Sequence, residues 1–258
     1  MKILAVGDLV GNAGVSKLKR ELNKIREKEN IDFVIVNGEN AGEGMGITQK
    51  NFNDLLEEKI DVITMGNHTW GKKDIFKFID HPKLLRPANY AKGVVGKGYN
   101  IYECNNKKIA VINLIGRVDV NVLSENPFIV AKEIIGKVKT QVDIIAIDFH
   151  AEATAEKIAM ARYLDGEITL LYGTHTHVQT ADEHILPQGT GFITDLGMTG
   201  PCHSVLGVKP ELIIKKLRSK MPVRFDLASG PCHLDGAVFE IDEKTGKTIS
   251  IERICITQ

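Results

Sequence analysis

Short, almost wholly apolar runs recur along the chain, and stretches of helical periodicity lie between them. Residues 3–6, 33–36 and 62–65 are the first three runs. A run of about four apolar residues without polar alternation reads as a strand buried on both faces, as in parallel sheets covered by helices. Between the runs, residues 15–29 put Leu18, Leu22 and Ile25 on one helical face. Thr48 then caps a helix carrying Phe52, Leu55 and Leu56. Strand, helix and strand in this order predict βαβ units with parallel strands in the first half.

The second half adds hairpins. Residues 99–104 and 109–114 flank Asn105-Asn106-Lys107, and residues 237–241 and 248–256 flank Glu243-Lys244-Thr245-Gly246. Helical patterns cover 127–138 and 153–163, and strands are expected at 143–148, 168–172 and 191–195. Pro210 stands where a first-turn proline is tolerated and opens a helix to residue 218. No linker or domain-scale repeat interrupts the series. The expectation is a mixed α/β fold of two packed sheets with helices outside, one domain over residues 1–258.

Charge narrows the partners. Lys and Arg number 33 against 33 Asp and Glu, a net charge of zero over 258 residues. A protein that coats a polyanion needs an excess of Lys and Arg, so extended nucleic-acid binding is not expected, while a local site for one phosphate is. No run approaches the ~20 apolar residues of a membrane span. The first apolar run meets Gly7 and Asp8 before a secretory core can form. Four cysteines are too sparse for a disulfide framework. A cytoplasmic protein is expected, and the sequence is compatible with a homo-oligomer.

Ligands of α/β sheets bind beyond the carboxyl ends of the strands. Gly7 and Asp8 follow the first run, Asn37, Gly38, Glu39 and Asn40 the second, and Gly66, Asn67 and His68 the third. His150 lies beyond residues 143–148, and Gly173, His175 and His177 beyond 168–172. One Asp or Asn after a strand is ordinarily a turn former. Five strand ends that each deliver a carboxylate, amide or imidazole, mostly beside glycine, point instead to a site.

Oxygen and imidazole donors without thiolate suit manganese, iron or zinc and disfavour pure calcium or magnesium sites. The donors suffice for two ions sharing a carboxylate. Two ions roughly 3.5–4 Å apart suit in-line displacement at phosphorus, so phosphoester hydrolysis is the indicated chemistry.

At these residues the sequence resembles the calcineurin-like metallophosphoesterases. Gly7-Asp8, Gly66-Asn67-His68, the isolated His150 and Gly173-Thr174-His175-Thr176-His177 come in that family's order. Val10 stands where the usual first motif has His, and Glu39 stands where the second has Asp. Both departures are features of the YmdB-like subfamily, as are Gly42-Glu43-Gly44 and the segment Asp195-Leu196-Gly197-Met198-Thr199-Gly200. The resemblance implies a four-layer α/β/β/α sandwich, two metal ions (iron or manganese, with zinc as a further candidate) and a small-molecule substrate, a 2′,3′-cyclic nucleotide. By the same resemblance Asp8, Glu39, Asn40 and His177 would hold one metal and Glu39, Asn67, His150 and His175 the other, with His68 as general acid. Hydrolysis to a 3′-nucleotide by a hydroxide held between the ions is the implied mechanism.

Other readings bear on single features. Gly7, Gly11 and Gly14 lack the middle glycine of the dinucleotide fingerprint, and Asp8 would repel a pyrophosphate. Gly-Pro-Cys-His occurs at residues 200–203 and 230–233, where adjacent Cys and His do not match zinc spacing. Arg86 and Arg117 are candidates to steer phosphate or to form surface ion pairs, and Trp70 to stack on a base or fill the core. The alternatives to the phosphodiesterase are a nucleotide or RNA-end sensor with slow turnover and a phosphatase acting on phosphoproteins or phosphomonoesters.

Overall fold

The computed structural model describes residues 1–257. Its strands are β1 (Lys2–Val6), β2 (Asp8–Leu9), β3 (Phe33–Asn37), β4 (Val62–Thr64), β5 (Leu84–Leu85), β6 (Tyr99–Cys104), β7 (Lys107–Ile115), β8 (Ile144–His150), β9 (Leu170–Thr174), β10 (His184–Ile185), β11 (Gly191–Ile193), β12 (Met198–Pro201), β13 (Cys232–Asp242) and β14 (Lys247–Thr257). The helices are α1 (Gly11–Glu29), α2 (Gln49–Glu57), α3 (Pro127–Val138), α4 (Thr154–Leu164) and α5 (Pro210–Ser219). Among the described residues no helix is long and apolar enough to cross a membrane.

One sheet runs β2-β12-β13-β1-β3-β4-β5, with β14 also paired to β13, and the other runs β10-β11-β9-β8-β7-β6. β1, β3, β4 and β5 are parallel neighbours, and so are β7, β8, β9 and β11. Strand alternation builds the layers. Ile3, Ala5, Phe33 and Ile35 face Val111, Ala146 and Leu170 between the sheets, whereas Leu4, Val6, Val34 and Val36 pack outward beneath Leu18, Leu22 and Phe52 of α1 and α2. Ile112, Ile147 and Phe149 likewise pack under Ile135 of α3 and Met160 of α4. The fold is thus an α/β/β/α sandwich, with each parallel run apolar because both of its faces are covered. Burying one such Leu or Ile stabilises by roughly 1.5–3 kcal/mol.

Local chemistry sets several boundaries. Thr48 caps α2, its Oγ1 accepting from the Asn51 amide at 3.1 Å. Asn30 ends α1 in the left-handed region at φ 55°. The first hairpin turns on two residues, Asn105 and Asn106 at φ 50° and 62°, so Lys107 is already paired with Cys104 rather than part of the turn. α1 begins four residues before the expected residue 15, because its N-cap Val10 offers no side-chain cap to read. β8 and β9 run to His150 and Thr174, two residues beyond the expected ends, so His150 closes a strand instead of following one.

The two Gly-Pro-Cys-His segments face each other. Pro201 pairs with Cys232 and Gly200 with His233 across β12 and β13. They form the two feet of an excursion, residues 202–231, that carries α5, a helix with no buried residue. Among the described residues no cysteine joins a metal-binding group of three or more His, Cys, Asp or Glu side chains.

Candidate metal centre

The carboxyl ends of the parallel strands from both sheets meet at one end of the sandwich. Asn37, closing β3, donates from Nδ2 to Asp148 of β8 at 3.2 Å, which ties the two sheets together. Glu39 and His150, from opposite sheets, follow at the same level, with Oε1 3.2 Å from Nε2. That nitrogen also lies 2.9 Å from Oδ1 of Asn67 and 3.0 Å from Nδ1 of His175. One ligand atom each from Glu39, His150 and His175 fall within 4.8 Å of one another. The backbone fits around them: a Cβ on Gly66 would come within 2.3 Å of His150 Nε2 and 2.4 Å of Glu39 Oε2.

Asp8 lies beside this group. Its Oδ2 accepts from the His175 amide at 3.0 Å, and its Oδ1 is 3.9 Å from His150 and 4.0 Å from Nε2 of His177. His177 Nδ1 donates to the Leu206 carbonyl at 3.1 Å, which turns Nε2 toward Asp8. Asp8 Oδ1 and Asn40 Oδ1 are both buried without a hydrogen-bond partner. Buried polar atoms are rarely left so, and two unmatched oxygens next to convergent imidazole and carboxylate donors fit a cation site.

Electrostatics agree with that fit. Burial works to raise the Glu39 carboxyl, but the His150 charge and hydrogen bond, with His68, outweigh it and hold it at about 2. Burial works to lower His150, and Glu39 with Asp8 and Asp148 lifts it to about 9. Burial and the His150 charge push His175 down to about 3. Burial raises Asp8 to about 6 against the pull of His177 and His150. One proton on His150 Nε2 therefore serves three acceptors, Glu39, Asn67 and His175, at the place a cation would occupy.

Residues to which the sequence reading gave no role hold these donors. Thr174 Oγ1 sits 2.9 Å from His150 Nδ1 and donates to Asp148 at 2.7 Å, fixing which imidazole nitrogen faces the site. Thr64 also donates to Asp148, at 2.5 Å. Lys157 and Asp195 form a fully buried ion pair at 2.6 Å. The Asp195 carboxylate accepts from the amides of Thr176 and Gly197 at 3.2 and 2.9 Å, which pins the loop of His175 and His177. Both histidines stand at positive φ, 102° and 61°, a strain of about 1–3 kcal/mol each that such anchoring sustains.

His68 stands at the rim, its amide donating to Glu39 Oε2 at 2.9 Å and its side chain lining a cavity together with Asn40 and His177. Two candidates for phosphate steering part company. The Arg86 guanidinium donates to the carbonyls of Pro87, Val94 and Val95, so it is neither a phosphate clamp nor a surface ion pair. Arg117 is exposed, its amide held by the Glu156 carboxylate. Trp70 is neither core nor open platform: it is 37% exposed and stacked on Phe76 at 5.5 Å.

The YmdB-like protein family matches residues 4–254. The chain belongs to that family. A relative from Bacillus subtilis (strain 168), named 2′,3′-cyclic-nucleotide 2′-phosphodiesterase, is 49% identical over 257 residues, 99% of this chain and 97% of the relative. A crystal structure described as a novel phosphatase from Mycoplasma pneumoniae matches with a TM-score of 0.94 at 39% identity, over 100% of this chain and 93% of that one. A 5′-nucleotidase precursor from Thermus thermophilus matches with a TM-score of 0.61 at 10% identity, over 100% of this chain and 54% of that one, a likeness of fold alone. The YmdB-like chain is a hydrolytic enzyme.

Proposed function

We propose that the chain hydrolyses 2′,3′-cyclic nucleotides to 3′-nucleotides, using two transition-metal ions, iron or manganese, with zinc as a further candidate. The observation that carries the reading is the convergence of Glu39, Asn67, His150 and His175 at the strand ends, beside two unpartnered oxygens of Asp8 and Asn40. The full-length relative named for this activity supports the choice of substrate. Glu39, Asn67, His150 and His175 would hold one ion, and Asp8, Asn40 and His177 the other, with Glu39 shared. Bound there, such ions supply Lewis acidity toward phosphoryl oxygens and lower the pKa of water.

The chain's own residues do the rest. The Asp148–Thr174 pair holds His150 Nδ1 and so keeps Nε2 turned to the site. The Glu39 carboxylate fixes the His68 backbone, placing that imidazole at the cavity mouth. Water oxygen joins phosphorus and releases one proton to solvent, the P–O2′ bond breaks, and His68, as general acid, gives a proton to O2′, leaving a 3′-phosphate. General acid help of this kind is worth about 10²–10⁴ in rate.

Turnover of 2′,3′-cyclic AMP with chromatographic identification of the product is the test. The expected result is 3′-AMP, at a rate in the ordinary enzyme range of about 1 s⁻¹ or more. His68→Ala should keep the metal content and lose at least about 100-fold in kcat. Tight binding without turnover would favour a sensor, and faster release of phosphate from monoesters would favour a phosphatase.

A further inference from the structure

A cavity of about 350 Å³ opens directly from the donor cluster. Asn40, His68 and His177 give it polar lining and Leu206, Phe225 and Leu227 apolar lining, and the carboxylates Glu43 and Asp226 also border it. The apolar wall belongs to the excursion between β12 and β13. We propose that this wall is the nucleobase subsite: the base of a nucleoside 2′,3′-cyclic phosphate lies against Phe225 while the phosphate sits among the strand-end donors. The proposal rests on the cyclic-nucleotide reading and adds to it the part of the chain that recognises the base.

The excursion is pressed onto the site by close contacts. Val10, buried at 1% exposure, is the residue that replaces the histidine of the wider family's first motif. A Cβ on Gly207 would come within 2.5 Å of Val10 Cγ1, so glycine lets the turn settle on that side chain, which lines the cavity. Leu227 lies over Gly11, where a Cβ would meet its Cδ1 at 2.4 Å. The Gly11 amide donates to the Asn40 carbonyl at 2.9 Å, so the wall is seated on the same backbone that carries a proposed ligand. The Val10 substitution thus turns a ligand position into an apolar surface.

Shape and exposure then select the occupant. Ligand cavities run from about 300 to 1,000 Å³ and combine apolar walls with a few polar groups, as here. Phe225 and Leu206 remain 40% and 48% exposed beside the cavity. Lys216 Nζ stands 4.7 Å from the Phe225 ring centroid, which adds a positive charge beside the wall. A nucleoside cyclic phosphate matches this layout end for end, an anion for the donor cluster and a flat aromatic base for Phe225.

Steady-state kinetics of the metal-loaded enzyme on 2′,3′-cyclic AMP and on glycerol 1,2-cyclic phosphate, a five-membered cyclic diester without a base, tests the proposal. Stacking of a base on an aromatic side chain is worth about 5- to 150-fold. Phe225→Ala should therefore lower the ratio of kcat/KM for the nucleotide to that for the glycerol diester by about that factor, chiefly through KM. Phe225→Trp should restore it. An unchanged ratio overturns the base subsite while leaving the phosphodiesterase reading standing. Equal losses on both substrates overturn it too, because they show a structural role for Phe225. Turnover of neither substrate by the unaltered enzyme removes the cyclic-nucleotide reading itself and this assignment with it.

Discussion

Gly66→Ala is the smallest change that reaches the proposed centre, and the geometry sets its size. The added methyl would stand 2.3 Å from His150 Cδ2 and Nε2 and 2.4 Å from Glu39 Oε2. Comfortable contact begins near 3.5 Å, so the overlap with the 2.3 Å neighbours is about 1.2 Å. Neither neighbour can yield freely. His150 is fully buried with Nδ1 engaged by Thr174, and Glu39 is 1% exposed with Oε2 engaged by the His68 amide. Gly66 is not at positive φ, so the effect is steric rather than conformational. Overpacking of this kind costs about 1–3 kcal/mol, and the displaced imidazole should weaken metal binding at least as much as the roughly 100-fold of a strong outer-shell change. Gly136→Ala is the control, since Gly136 lies inside α3 with nothing within 4 Å of the new Cβ. That control should stabilise the protein by up to about 1 kcal/mol. Urea denaturation of the metal-free protein and calorimetric titration with manganese measure both quantities. Manganese affinity of Gly66→Ala equal to that of the unaltered chain would refute the placement of His150 and Glu39 as ligands.

Two further outcomes concern the protein around the site. Lys157→Met leaves the buried Asp195 carboxylate without its partner, and urea denaturation should show a loss of about 3–5 kcal/mol; a loss below about 1 kcal/mol would show that Asp195 is satisfied by amides alone. In the metal-free protein, His150 is lifted from 6.5 to about 9, so the folded chain holds a proton that the unfolded chain releases. That contribution is complete below about pH 6.5 and lost as pH rises through 9. At about 1.4 kcal/mol per unit, stability should fall by about 3 kcal/mol between pH 6.5 and 9. Denaturation midpoints that hold steady or rise over that window would contradict the Glu39–His150 ion pair.

Much of the fold was legible because its signals are local. The apolar runs ending at Val6 and Val36 mark buried strands, and the residues just beyond them mark the site end of the sheets. Thr48 and Pro210 mark helix starts through capping and a fixed φ. The unread parts depend on partners far along the chain. β2 and β12 are two and four residues long and exist because β12 pairs with β2 on one side and β13 on the other, which no window of sequence displays. Asp148 stood as one carboxylate within an apolar run, a signal of a buried polar role, but its partners Thr64 and Asn37 lie 84 and 111 residues away. Lys157 reads as one charge on an ordinary helix until Asp195, 38 residues on, is brought against it. Arg86 shows the limit in the other direction: its fork suits phosphate, and the fold directs it to three backbone carbonyls.

Metal content of the purified protein, measured together with turnover of 2′,3′-cyclic AMP before and after chelation, tests the central claim most directly. The account predicts two transition-metal ions per chain, loss of turnover when they are stripped, and recovery when manganese or iron is returned. Undiminished turnover by a chain carrying no metal would contradict it.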